Sequence, residues 1–100
     1  MNRGVLGIRR SQKARADLGD IWLYIAERDV SAADRVLDEI ERIISLIATQ
    51  PRMGRKRPEI GVNIHSFRAM SWIVFYRIEE GFIDVVRVLH GARDLDEQDF

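Results

Sequence analysis

The stretch SWIVFYRIEEGFIDVVRVLHGARD, residues 71–94, decides the predicted fold. Two runs of β-branched and aromatic residues, 72–78 and 82–89, flank a short break of two glutamates and a glycine at 79–81. Such residues favour a pleated, packed surface, and glycine supplies the positive φ that a tight reversal often needs. The pattern therefore predicts a β-hairpin at the centre of a sheet.

Cationic side chains interrupt this apolar stretch. Arg77 lies late in the first run and Arg87 late in the second, and His90 and Arg93 follow shortly after. A cation inside an apolar strand has lost much of its hydration, so it requires an anionic partner within the protein or an external anion. Both interpretations stay open at this point. The acidic residues considered for internal pairing are Asp84, Glu59 and Asp94.

The composition is typical of a single folded domain. The chain has 100 residues, of which 46% are hydrophobic and 32% charged, and it contains no cysteine. These values exclude a disulfide framework and a thiolate zinc site, and no apolar run approaches the ~20 residues that span a bilayer. We therefore expect one cytoplasmic domain over residues 1–100, with 1–3 and 95–100 loosely ordered, that uses no membrane, metal or cofactor.

The formal net charge is zero, but the charges form alternating blocks. Residues 1–15 carry five basic side chains and no acids, and residues 16–50 carry eight acids and three bases. Residues 51–77 carry six bases and one acid, and residues 78–100 carry seven acids and two bases. Such blocks create local electric fields even when the total cancels. If the two basic blocks meet in space, the protein has one basic face; otherwise each block is a solvated surface with local partners.

Two amphipathic helices follow a short N-terminal strand predicted at residues 5–10. Apolar side chains recur at steps of three and four from residue 12 to about residue 28, which predicts a helix with Ser11 as its N-cap. A second stripe predicts a helix that has Ser31 as its N-cap and ends at Thr49, with Asp38 and Arg42 as an i, i+4 ion pair. Because the connection is so short, the helices form an antiparallel hairpin.

The rest of the chain is predicted to form a loop and a sheet. Residues 51–59 form a loop with two prolines and four basic side chains. A strand over residues 60–69 and the central hairpin then make three antiparallel strands joined by short turns. The predicted fold class is α+β in the order β-α-α-β-β-β. An antiparallel helical hairpin packs on one face of an antiparallel sheet, and the other face is partly open.

The sequence lacks the common catalytic motifs: it has no Gly-rich phosphate loop, no nucleophile elbow and no pair of histidines at helical spacing. Cleavage of RNA at a 2′-hydroxyl requires a general base, a general acid and cations that stabilise the phosphorane. The suitable residue types, from adjacent predicted strands, are Arg68, Arg77, Arg87 and His90. A second proton-transfer group beside His90 is missing, because two small residues follow it. The nuclease constellation is therefore incomplete.

Three segments, in the same order, resemble the ParE branch of the RelE/ParE toxin superfamily: ARADLGDIWLYIAERD (14–29), LIATQPRMGRKRPEI (46–60) and FYRIEEGFIDVVRVLHGARD (75–94). Their patterns A-x-x-D-L-x-x-I-W-x-Y-I-A, P-x-x-G-R and R-V-L-H-G-x-R-D are specific in combination. The resemblance covers nearly the whole chain. The family's order of a strand, a helical hairpin and an antiparallel sheet agrees with the order predicted above.

The resemblance implies the toxin of a type II toxin–antitoxin pair, with a ParD-like antitoxin whose C-terminal segment folds as it wraps the toxin. ParE-like toxins are associated with poisoning of DNA gyrase, and RelE-like relatives with cleavage of messenger RNA in the ribosomal A site. The chain has Gly91 where some nuclease relatives have an aromatic residue, which favours the gyrase interpretation. The alternatives are a ribosome-dependent endoribonuclease and a family member that has lost toxicity but still binds an antitoxin.

These interpretations assign roles to particular residues. The basic loop and the strand arginines are expected to bind the target: Arg52, Arg55, Lys56, Arg57, Arg68, Arg77, Arg87 and Arg93. The apolar stripes of the helices are expected to bind the antitoxin through Trp22, Ile25, Ile40 and Ile44. If the protein is a nuclease, the catalytic set is Arg68, Arg77, Arg87 and His90.

Overall fold

The computed structural model describes residues 5–91, 95, 99 and 100, and arranges them as two helices packed on a five-stranded sheet. The predicted α+β class is confirmed. In chain order the elements are β1 (Gly7–Arg10), α1 (Gln12–Ala26), α2 (Val30–Thr49), a 3₁₀ turn (Pro51–Met53), β2 (Arg55–Lys56), β3 (Ile64–Ala69), β4 (Trp72–Glu79) and β5 (Phe82–His90). The strands lie side by side in the order β1-β5-β4-β3-β2.

The helical hairpin forms where the apolar periodicity predicts it, with differences at its ends. Ser11 caps α1, because its Oγ accepts a hydrogen bond from the Ala14 amide at 3.0 Å. The cap of α2 is Asp29, whose carboxylate accepts from the amide three residues further on at 3.0 Å, and not Ser31 as predicted. The extended backbone of Asp29, with φ −158°, lets the helix begin earlier and places Ser31 inside its first turn.

The ion pair predicted on α2 forms with a different acid. Arg42 donates from Nε and Nη2 to the two carboxylate oxygens of Glu39 at 2.9 and 2.7 Å, an i, i+3 spacing. The Glu39 side chain is one methylene longer than that of Asp38, so both of its oxygens reach the guanidinium. The hydrogen bond lowers the pKa of Glu39. Because the pair is exposed to solvent, it contributes little to the free energy of unfolding.

The predicted antiparallel meander is confirmed as β3-β4-β5, and the N-terminal strand completes the sheet at one edge. β1 pairs in parallel with β5, with Gly7 opposite Phe82 and Arg10 opposite Val85, so the sheet is mixed and not wholly antiparallel as predicted. The helical hairpin carries the chain from β1 at one edge to β2 at the other. Local periodicity cannot predict this pairing, because it depends on the path of the hairpin across the sheet.

The basic loop contains a strand where the sequence predicted none. Arg55–Lys56 forms β2 against β3, and β3 begins at Ile64 and not at residue 60. The Arg57 amide donates to the Ile64 carbonyl at 2.8 Å, which extends the pairing past β2. Pro58 then lacks an amide to donate, and Asn63 has the positive φ of 60° that a reversal requires. The intervening residues are therefore excluded from the sheet.

Alternation along β4 divides the core between the two faces of the sheet. Val74 and Tyr76 belong to the main core under the helices, and Phe75 belongs to a second cluster on the outer face. The outer cluster comprises Ile60, Ile64, Phe75, Val86 and Leu89, with Ile73, Leu95 and Phe100 packed against it. The outer face, predicted to be partly open, is thus partly covered by described residues of the C-terminal tail. Full burial of a phenylalanine ring contributes about 1.5–3 kcal/mol.

Candidate target-binding surface

Three of the predicted target-binding arginines line one depression at the β2–β3 edge of the sheet. Arg55 extends from β2, Arg68 from β3, and Arg57 from the turn between these strands. The other residues that line the depression are Met53, Ser66, Phe67 and Ile73. We call Arg55, Arg57 and Arg68 the cationic patch. Guanidinium groups arranged around a shared depression are suited to bidentate binding of a phosphate or a carboxylate.

Arg57 is held in one orientation within the cationic patch. Its Nη1 donates to Ser66 Oγ at 3.2 Å, and its Nε donates to Glu59 Oε2 at 2.7 Å. Its guanidinium also lies 5.5 Å from the centre of the Phe75 ring, a cation–π contact. The hydrogen bond from Arg57 lowers the pKa of the Glu59 carboxyl. These contacts preorganise Arg57, since its side-chain entropy is already restricted before a ligand binds.

Arg55 and Arg68 are exposed, and neither forms an ion pair with a described residue. Arg68 donates from Nη1 to the Met70 carbonyl at 3.2 Å. Its guanidinium also lies beside Gly91, where an added Cβ would approach both terminal nitrogens to 3.1 Å. Gly91 therefore leaves room for Arg68 at the position where the sequence departs from some nuclease relatives.

Arg87 is engaged inside the protein and does not belong to the cationic patch. Its Nε and Nη2 donate to the two oxygens of Asp17 at 2.7 and 2.8 Å, and its Nη1 donates to the Asp99 carbonyl. Asp17 Oδ2 also accepts a hydrogen bond from the Val88 amide at 2.9 Å. The side chains of Arg87 and Asp17 are only 14% and 10% exposed. We call this pair, with its bond to Val88, the Asp17–Arg87 clamp.

The carboxylate in the Asp17–Arg87 clamp belongs to Asp17, and not to Asp84, Glu59 or Asp94 as predicted. β1 ends before this part of β5, which therefore has no strand neighbour on that side among the described residues. α1 packs here instead. Asp17 accepts the hydrogen bond of the Val88 amide on β5, which in a longer sheet would bond to a carbonyl of the neighbouring strand. The hydrogen bond that Arg87 donates to Asp17 raises the pKa of Arg87. Of the acids considered from the sequence, Glu59 pairs with Arg57, and Asp94 lies outside the described residues.

Arg77 lies at the far end of the outer face from Arg68. In the sheet register Arg77 is opposite Asp84, which is itself opposite Arg9. Asp84 Oδ1 is buried and has no hydrogen-bond partner among the described residues. Arg68 is opposite Ile73, four residues before Arg77, which corresponds to about 13 Å along a strand. Arg77 and the cationic patch therefore share a face but do not meet at one point.

The remaining predicted target-binding residues lie elsewhere. Arg52 is exposed on the 3₁₀ turn. Lys56 is opposite His65 in the register and lines a different depression, beside Val62 and Ile64. Arg93 lies outside the described residues. Of the predicted target-binding residues in the described part of the chain, Arg55, Arg57 and Arg68 are thus the ones that line the same depression.

The four residues of the nuclease alternative do not surround a common point. Arg87 is held by the Asp17–Arg87 clamp, while Arg68 and Arg77 lie at different ends of the outer face. His90 contacts the Trp72 ring, with 6.1 Å between the ring centroids, and lines a groove against α1 on the helix side of the sheet. This arrangement supplies cations for binding an anion, but it does not place an acid and a base on either side of one phosphate.

The residues predicted to bind an antitoxin fall into two groups. Ile40 and Ile44 are fully buried in the main core, so their side chains present no surface to a partner in this conformation. Trp22 and Ile25 are half-buried, and the Trp22 indole donates to Asp34 at 2.9 Å across the hairpin. The apolar stripe identifies the side of a helix that the sheet covers, and not the side that remains free. The large apolar residues that stay exposed on α1 are Leu23 (60%) and Tyr24 (76%).

The two histidines lie in different environments. His65 is buried and stacks on the Tyr76 ring with centroids 5.6 Å apart, and His90 is exposed at the end of β5. Within the described ranges, no group of three or more His, Asp or Glu side chains is placed to hold a metal ion. Neither helix in the described part of the chain has the length and hydropathy required to cross a membrane.

The amino-acid sequence matches a family of known proteins over most of its length. The family described as ParE toxin of type II toxin–antitoxin system, parDE, matches residues 8–95. Toxin ParE1 of Mycobacterium tuberculosis is 41% identical over 88 residues. The aligned region covers 86% of this chain and 90% of that toxin.

Two solved structures share the fold. A chain of the chromosomal ParDE toxin–antitoxin system from P. aeruginosa superimposes with a TM-score of 0.73 at 16% identity, over 88% of this chain and 98% of that one. A chain of the toxin–antitoxin complex RelBE2 from Mycobacterium tuberculosis superimposes with a TM-score of 0.68 at 21% identity, over 92% and 98%. At these identities the likeness establishes the fold alone.

Proposed function

Because this chain belongs to the ParE toxin family of type II toxin–antitoxin systems, we propose that it arrests growth by binding DNA gyrase in the cytoplasm. The observation that carries the proposal is the cationic patch, in which Arg55 and Arg68 are exposed and have no ion-pair partner among the described residues. Exposed guanidinium groups suit the phosphates or carboxylates of a macromolecular target. Inhibition by binding needs no general acid or base, and the guanidinium groups of the cationic patch suffice for it.

A ParD-like antitoxin neutralises the toxin in this proposal. Both similar structures come from toxin–antitoxin systems, one a ParDE system and one a RelBE2 complex, which supports an antitoxin partner for this chain. The half-buried Trp22 and Ile25, beside the exposed Leu23 and Tyr24, supply apolar surface for such a partner. Amphipathic segments that fold on binding commonly dock on surfaces of this kind.

The test is a supercoiling assay with purified gyrase. The wild-type protein is expected to block supercoiling, and the double variant Arg55→Ala/Arg57→Ala is expected to require at least about tenfold more protein for half inhibition. Arg35→Ala, an exposed arginine of α2, is the matched control and should inhibit like the wild type. An absence of inhibition by the wild type at excess concentration contradicts the proposal.

A ribosome-dependent endoribonuclease is the second candidate, and the likeness to the RelBE2 chain is compatible with it. The cationic patch suits RNA phosphates as well as DNA phosphates. Translating ribosomes exposed to the protein would then show cut A-site codons, and His90→Ala would abolish the cuts. Full toxicity of His90→Ala in cells would contradict this candidate. Growth after induction without an antitoxin separates both functions from a member that has lost toxicity.

A further inference from the structure

The Tyr76 hydroxyl connects the sheet to the start of the basic loop. Tyr76 is fully buried in the main core, and its hydroxyl donates to the Pro51 carbonyl at 2.6 Å. The same oxygen accepts a hydrogen bond from the Gly54 amide at 3.1 Å. One side-chain oxygen thus forms hydrogen bonds with both a carbonyl and an amide of the loop. Without it, these two half-buried backbone groups would each lose a hydrogen bond.

The spacing of the motif P-x-x-G-R matches this contact. Pro51 and Gly54 bracket the 3₁₀ turn, which the Met53 amide closes on the Gln50 carbonyl at 3.0 Å. A turn of this length brings the Pro51 carbonyl and the Gly54 amide close enough for one hydroxyl to contact both. Arg55, the last residue of the motif, then starts β2 and enters the cationic patch.

Gly54 has no space for a side chain because of the same hydroxyl. An added Cβ would lie 2.2 Å from the Tyr76 hydroxyl oxygen, 2.9 Å from the Ser66 carbonyl and 3.0 Å from Tyr76 Cζ. The backbone at Gly54 is extended, with φ −74°, so the requirement for glycine is steric and not conformational. The tyrosine and the glycine therefore form a complementary pair.

We propose that Tyr76 is a positioning residue whose hydroxyl fixes the loop so that Arg55 and Arg57 meet Arg68 in the cationic patch. The proposal deepens the proposed function and rests on it for the role of the patch. The anchored turn leads directly into β2 and places it against β3. There Arg55 pairs with Ser66, and the Arg57 amide donates to the Ile64 carbonyl. The burial that raises the pKa of Tyr76 keeps the hydroxyl protonated and able to donate to Pro51.

The first test measures the contact itself. Tyr76→Phe removes only the hydroxyl and keeps the ring and its stack on His65. Amide hydrogen exchange at Gly54 is expected to accelerate about tenfold. Thr49→Val is the matched control, because it removes a hydroxyl that bonds within α2, to the Leu46 carbonyl at 2.7 Å, and should leave exchange at Gly54 unchanged. Unchanged exchange at Gly54 in Tyr76→Phe overturns the proposal.

The second test separates positioning from stability. Tyr76→Phe is expected to raise the protein concentration for half inhibition of gyrase about fivefold, and to add little in the background of Arg55→Ala/Arg57→Ala. Ile21→Ala, a truncation in the same core on α1, controls for a general loss of stability. Equal effects of Tyr76→Phe with and without the two arginines overturn the positioning role.

The third test uses the steric pair and does not require gyrase. Gly54→Ala is expected to lower the midpoint of urea unfolding, and adding Tyr76→Phe should restore part of the loss because the contact at 2.2 Å is removed. A double variant as destabilised as the sum of the single variants overturns the proposed pairing. If the wild type does not inhibit gyrase, the proposed function fails, whereas the exchange and unfolding experiments still decide whether Tyr76 anchors the loop.

Discussion

The cationic patch and the Asp17–Arg87 clamp use the same side chain in opposite ways. In the cationic patch, Arg55 and Arg68 are exposed and retain donors for a ligand. In the Asp17–Arg87 clamp, three nitrogens of Arg87 already donate to protein oxygens, and the side chain is 14% exposed. Burial and a fixed anion, rather than residue type, therefore decide whether an arginine stabilises the fold or is available for binding.

The two sites also differ in how strongly they couple to unfolding. A buried ion pair adds little net stability, but removal of one partner leaves a buried charge and costs about 3–5 kcal/mol. Substitution of an exposed arginine usually changes the free energy of unfolding by less than about 0.5 kcal/mol. Variants at the two sites should therefore separate cleanly into losses of stability and losses of binding.

The largest expected effect is at the Asp17–Arg87 clamp. Asp17→Ala should lower the free energy of unfolding by about 3 kcal/mol, because Arg87 and the Val88 amide both lose their acceptor. Urea unfolding followed by circular dichroism measures the loss. The double variant Asp17→Ala/Arg87→Leu should be more stable than Asp17→Ala, since no unpaired charge remains. A loss of less than about 1 kcal/mol in Asp17→Ala would be typical of a surface ion pair and would contradict the buried role of this pair.

An intermediate effect, on binding alone, is expected at the cationic patch. Arg68→Ala should raise the concentration for half inhibition of gyrase about fivefold and leave unfolding within about 0.5 kcal/mol of the wild type. Arg28→Ala, an exposed arginine at the end of α1, should change neither quantity. If Arg68→Ala destabilises the protein as much as Asp17→Ala, the distinction between the two sites is lost.

The smallest effect is a pH dependence inside the cationic patch. The pKa of Glu59 is lowered from 4.5 by its hydrogen bond from Arg57, so the bond contributes fully above 4.5 and is lost as the pH falls through the lowered pKa. An NMR titration of the Glu59 carboxyl should give a midpoint below 4.5, and Arg57→Ala should move it back up. A midpoint at or above 4.5 in the wild type would show that Arg57 is not held by Glu59.

The two regions were not equally accessible to prediction. Arg55 and Arg57 lie close together in the most positive segment, so the sequence identified both as cations of one loop. The partner of Arg87 lies 70 positions away on α1, and the apolar period of that helix does not indicate which of its acids reaches β5. An apolar stripe predicts that one side of a helix is covered but does not indicate what covers it, and at Ile40 and Ile44 the protein's own main core does so.

Tyr76 illustrates a further limit. The alternation of β4 places Tyr76 on the side opposite Arg77, and the structure agrees. Its contacts with Pro51 and Gly54 nevertheless join segments that are 22 or more positions apart, which no local pattern predicts. The sequence contained the motif residues, but their shared contact with one hydroxyl required the folded chain.

Local sequence patterns are sufficient to predict the two helices, the meander of β3, β4 and β5, and the presence of a basic loop. These features depend on the period of apolar residues and on local turn chemistry, which short segments carry on their own. The parallel pairing of β1, the strand β2, and the choice of which described arginines form ion pairs depend instead on the folded chain. These features depend on contacts between segments that are distant in the sequence. Burial in such contacts changes the free energy of a charged group more than the residues beside it in the sequence do.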